Sequence, residues 1–97
     1  MMIDRDRALA EFKRYTDAYD SSNPRIALKI DHTYRVAEAC EAIACGEGWG
    51  KADIDLAWLC GLLHDMGRFE QLRRWDTFKD AEGTSHAALG VEALFGK

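Results

Sequence analysis

A length of 97 residues bounds one small domain, and a hydrophobic share of 47% allows a core without disulfide or metal staples. A net charge of −4 and a pI near 5.3 argue against binding to nucleic-acid polymers or to anionic membranes. The charged stretch over residues 1–7 has no apolar centre, so no secretory signal is read there, and no apolar run approaches the ~18–20 residues that cross a bilayer.

Strand-type alternation is absent, and the chain reads as all-α. A first helix is expected over about residues 4–19, with Ala8, Phe12, Tyr15 and Tyr19 on one face. The polar run 20–24 breaks it. Asn23 suits an N-cap and Pro24 a first helical residue, so a second helix is predicted from there to about Cys45, stopping at Gly46-Glu47-Gly48. Its inward stripe is predicted as Leu28, His32, Val36, Ala39 and Ile43. Asp53 is expected to cap a third helix that runs to about Asp65, with Leu56, Leu59, Cys60, Leu63 and His64 on one side and Gly67 as its stop. A short helical turn is expected within residues 68–75, followed by a polar loop over 76–83. Thr84 or Ser85 would cap a fourth main helix carrying Ala88, Val91, Leu94 and Phe95. Trp49, Trp58 and Trp75 read as packing residues.

Three histidines, His32, His64 and His86, each start or end a helical segment or lie on a face expected to point inward. One histidine on an apolar stripe is more often a hydrogen-bonded core residue than a ligand. Asp65, read alone, orients His64 or caps a turn. The combination points to a metal, because burying several titratable groups is costly unless they are paired or bound to a cation. Neutral imidazoles with a carboxylate suit Mn, Fe, Co, Ni, Zn or Mg and do not choose among them. The three cysteines, Cys40, Cys45 and Cys60, are odd in number and lie in apolar helical stretches. They are expected to be reduced core residues of a cytoplasmic protein, and no common zinc spacing fits Cys40 and Cys45.

The segments His32-Thr33-Tyr34-Arg35-Val36-Ala37-Glu38, Leu59-Cys60-Gly61-Leu62-Leu63-His64-Asp65-Met66-Gly67-Arg68-Phe69 and Ser85-His86-Ala87-Ala88-Leu89-Gly90 carry a resemblance. Together they resemble the HD superfamily of metal-dependent phosphohydrolases, over about residues 26–95. The resemblance implies a helical bundle and a metal held by a first histidine, the His-Asp doublet and a distal aspartate. Carried over, the ligands are His32, His64 and Asp65. The family's distal aspartate comes on a later helix, whereas Asp76 and Asp80 come too early and the sequence reaches Lys97 eleven residues after His86. The chain therefore reads as an amino-terminal portion of an HD domain, truncated after about four main helices. His86 resembles the histidine that contributes to a second metal in binuclear members. Its other reading is an exposed histidine at a helix start.

Residues 68–79 are net positive in an acidic chain, with Arg68, Arg73, Arg74 and Lys79 against Glu70 and Asp76. A guanidinium fork fits phosphate oxygens bidentately, and Arg68, closest to the doublet, is the substrate-binding candidate. The other three read as solvated charges. Arg35 is one turn from His32 and is read as pairing with a nearby carboxylate or reaching the site. The implied reaction is hydrolysis of a phosphomonoester or phosphodiester, with nucleotides a substrate class by resemblance. Asp65 would both ligate and influence a metal-activated water. The alternative is a non-catalytic ligand-binding or assembly module. The expected partners are a small phosphorylated substrate and further copies of the chain as a homo-oligomer, because apolar positions of the last helix need a covering surface. With one ligand missing, weak or absent turnover is expected of the 97-residue chain.

Overall fold

The structure is a computed structural model and describes residues 3–76, 78 and 86–95. The chain is all-α, as its periodicity predicts. Its helices are α1 (Arg5–Thr16), α2 (Pro24–Gly46), α3 (Lys51–Leu63), α4 (Met66–Trp75) and α5 (His86–Phe95). Two compact units divide it, Met1–Leu62 and Leu63–Lys97. Among the described residues no helix is long and apolar enough to cross a membrane.

In the first unit, α1 begins where the Asp4 carboxylate accepts the Arg7 amide at 3.0 Å, the usual work of an N-cap. It buries Phe12 and Thr16. The Phe12 ring meets Tyr34 edge-on, with centroids 5.5 Å apart, a favoured arrangement of ring quadrupoles. The start of α2 is as predicted: Asn23 Oδ1 accepts the Arg25 amide at 2.9 Å, and Pro24 is the first helical residue. Past its end, Gly48 takes φ +74, a backbone state that glycine adopts without penalty.

The predicted inward face of α2 is corrected. The helix buries Ile26, Thr33, Ala37 and Ala44, while Leu28 and Ile43 are 68% and 66% exposed. His32 and Ala39 are exposed too, and Val36 is half-buried. The two stripes lie about a third of a turn apart around the helix. Both are apolar, so periodicity is satisfied twice. The buried one wins through small side chains. A Cβ added to Gly61 of α3 would stand 2.8 Å from the Ala37 Cα and 3.0 Å from the Val36 carbonyl oxygen. Only small residues allow that approach.

The face of α3 is corrected for the same reason. It buries Asp55, Trp58, Gly61 and Leu62, whereas Leu56 and Cys60 are exposed. Its first residue is Lys51, so Asp53 lies in the first turn and is not the cap. Cys45 is also exposed and Cys40 half-buried, so the expectation of three core cysteines fails. Trp58 alone among the tryptophans is buried; Trp49 and Trp75 are largely exposed. The acid that α3 buries is compensated. Asp55 accepts from Arg5 Nε at 2.9 Å and Nη2 at 2.7 Å, and from Lys51 Nζ at 3.0 Å. Arg5 also pairs with Glu41 at 2.7 Å and stacks over Trp58, 4.8 Å from the ring centroid. One guanidinium thus joins α1, α2 and α3.

In the second unit, Gly67 is not a stop. It lies in the first turn of α4, a full helix of ten residues where a short turn was expected. A side chain on Gly67 would collide with the carbonyl of His86 at the start of α5. This close approach seats α5 on α4. Met66, Phe69, Gln71 and Leu72 of α4 are buried, and so is Leu89 of α5. Ala88 and Val91, expected inward, are exposed. The expected caps Thr84 and Ser85, and the side chains of Leu94 and Phe95, lie outside the described residues. Asp76 closes α4 in the left-handed conformation at φ 54, its amide donating to the Leu72 carbonyl. Aspartate tolerates that state better than most side chains.

Candidate metal centre

Leu63 ends α3 and Met66 begins α4, leaving His64 and Asp65 as a two-residue turn. Asp65 takes the N-cap position of α4, yet its side chain makes no capping bond. The carboxylate faces other groups. His64 Nε2 lies 3.0 Å from Oδ2. His86 Nε2 lies 3.6 Å from Oδ1, and Arg68 Nε lies 3.9 Å from the same oxygen. Asp65 is buried, so these neighbours offset the loss of water around its charge. The helix spacing places Arg68 one turn beyond Asp65 on the same face, and the close α4–α5 approach brings His86 in.

His32 lies on the exposed face of α2, not on the inward face expected for it. His32 and His64 are exposed and Asp65 is buried. Two imidazoles and one carboxylate are a donor set that fits a divalent ion of the borderline or hard type. His86 stands beside Asp65 within the same unit.

The remaining basic residues separate cleanly. Arg73 and Arg74 both pair with Glu70, one turn back on α4, and Arg35 pairs with Asp31 at 2.9 Å on an exposed surface. These are the solvated and structural roles their positions suggest. Lys79 and Asp80 lie outside the described residues. Arg68 differs. Its Nη1 donates to Gln71 Oε1 at 2.9 Å and to the Phe78 carbonyl. Gln71 escapes a search for ligands and charges because it is neither. The three-residue step from Arg68 to Gln71 on one helix face is the signal that would have found it.

The HD domain family model matches residues 30–96. No match to the chain is found among the curated proteins or among the solved structures. The matched span takes in His32, the His64-Asp65 turn and His86 and covers more than two thirds of the sequence, so the chain belongs to the HD domain family, within the superfamily of metal-dependent phosphohydrolases.

Proposed function

We propose that this chain hydrolyses a phosphate ester, with His32, His64 and Asp65 holding one divalent ion. The observation that carries the reading is the HD domain match over residues 30–96, which takes in all three residues, with the buried Asp65 carboxylate set between the imidazoles of His64 and His86. When bound, such an ion supplies a water of lowered pKa and positive charge against the phosphoryl oxygens. His32 and His64 bind it as neutral imidazoles, and Asp65 ligates through one oxygen. The second Asp65 oxygen accepts a hydrogen bond from the attacking water and turns its lone pair toward phosphorus. Arg68 binds the substrate phosphate through its planar fork. His86, beside Asp65 Oδ1, is the candidate ligand for a second ion. The substrate is a small phosphomonoester or phosphodiester, a nucleotide being one class that suits the family. We place the protein in the cytoplasm, acting as a homo-oligomer. The exposed apolar stripe of α2 supports self-association.

Metal content after loading with Mn or Ni tests the reading, alongside hydrolysis of p-nitrophenyl phosphate and bis(p-nitrophenyl) phosphate. The wild-type chain is expected to retain about one ion or more, His64→Ala to retain almost none, and His86→Ala to keep the first ion. A His64→Ala chain that retains metal like the wild type refutes the ligand assignment. Metal retained without hydrolysis of either ester would favour the non-catalytic binding module.

A further inference from the structure

The outer face of α3 gathers side chains that the phosphate chemistry does not use. Trp49, Asp53, Leu56, Ala57 and Cys60 line a groove of about 340 Å³, within the size range of small-ligand sites. All five belong to the first unit. From Asp53 onward, steps of three and four residues keep them on one helical face, turned away from the packed residues Asp55, Trp58, Gly61 and Leu62. Trp49 reaches the groove from the turn before the helix. Gly48, at φ +74, lets the backbone turn there, and the Trp49 amide donates to the Ala44 carbonyl at 3.2 Å.

The polarity of the groove is one-sided. It is lined by one carboxylate, one indole and apolar or thiol groups, and by no basic side chain. Among the described residues the Asp53 carboxylate has no ion-pair or hydrogen-bond partner. Lys51, the nearest base along the helix, gives its amine to Asp55 at 3.0 Å. The start of a helix favours an acid, which accounts for Asp53 but not for the exposed Trp49 and Leu56 beside it. We propose that this groove binds a small free alkylammonium ion. Its charge is shared between the Trp49 ring and the Asp53 carboxylate, and its methyl groups lie on Leu56, Ala57 and Cys60. The face of an indole attracts a cation, and the carboxylate adds an opposite charge. Apolar walls favour alkyl groups over a bare, hydrated metal ion, and the acid repels phosphates and carboxylates. The small volume commits the occupant to a free molecule. The site uses none of the metal-binding candidates, so it stands apart from the phosphohydrolase reading.

The test uses the full chain, with choline as the probe and its uncharged isostere 3,3-dimethylbutanol as the control. Binding is read by ¹⁵N NMR at the Trp49 indole N–H. Choline is expected to bind in the millimolar range, because charge and ring contacts at exposed sites each contribute little. Asp53→Asn and Trp49→Leu should each weaken it about threefold. Both residues are exposed, so neither change should disturb folding. The wild type supplies a second readout. Saturating choline should slow alkylation of Cys60 by iodoacetamide, followed by mass spectrometry. Cys45, exposed but outside the groove, should react at its usual rate. Equal binding of 3,3-dimethylbutanol would show a groove that reads shape alone and would overturn the proposal. So would Cys60 reacting unprotected, equal protection of both thiols, or full affinity in both variants. A trimethyllysine peptide that binds far more tightly than choline would assign the groove to a protein partner and overturn the small-molecule assignment.

Discussion

Among single residues, Asp55 shows most directly how a buried charge is made tolerable. Lys51 and then Arg5 donate to its carboxylate and hold it below the ordinary carboxyl range, against the opposing effect of desolvation. A carboxyl depressed in the native state contributes stability above its unfolded pKa of about 3.9, and that contribution is lost as pH falls through the lower native value. Acid unfolding of the wild type should therefore steepen below about pH 4, and Asp55→Asn should be flatter there. At pH 7 the same variant should melt about 5 °C or more below the wild type, because Arg5 and Lys51 lose their shared anion. Equal melting temperatures by circular dichroism at pH 7 would show that the network contributes nothing. Lys51 and Asp55, four apart, announce half of this arrangement in the sequence. Arg5, fifty residues away, does not. Asp65 is the opposite case. Its neighbour His64 made it conspicuous, and the turn between α3 and α4 explains why both side chains leave the helices together.

At the level of elements, glycines set two of the helix contacts. Gly67 on α4 has no room for a methyl against the His86 carbonyl, whereas a Cβ on Gly90 of α5 would meet its nearest neighbour, the Gly67 amide nitrogen, at 3.4 Å, an ordinary contact. Gly67→Ala should therefore push the start of α5 away and cost about 2 kcal/mol, while Gly90→Ala should be neutral or slightly stabilising through helix propensity. Denaturant unfolding of the two variants checks this; similar midpoints would mean that α5 yields easily. The helices themselves were legible. Asn23-Pro24 marked the start of α2, and glycine marked its end. Faces were not legible in α2 and α3, because each is apolar on more than one side. Gly67 misled for a related reason: glycine after a helical run signals a stop, and only the partner helix reveals that it serves as a contact. The candidate ligands His32, His64 and Asp65 were legible as residue types, although His32 was placed there by an argument about an inward face that does not hold.

For the molecule as a whole, the exposed apolar side chains decide what to measure. Leu28 and Ile43 of α2 and Val91 of α5 are each more than half exposed, and covering a large apolar side chain gains roughly 1.5–3 kcal/mol. On that ground we expect light scattering across a dilution series to give a mass above the 11.0 kDa of one chain at micromolar concentration, and a clean monomer would count against self-association. The two apolar faces of α2 have a second consequence. Burial area alone barely distinguishes the native helix from one turned about a third of a revolution about its axis. The choice falls to Ala37 and Gly61, whose side chains bury almost no area but whose backbones fit together. Orientation is thus specified by the residues that contribute least to hydrophobic stabilisation. A larger side chain at position 37 would cost the protein less in contact energy than in uniqueness, admitting a competing, differently rotated state to the folding landscape.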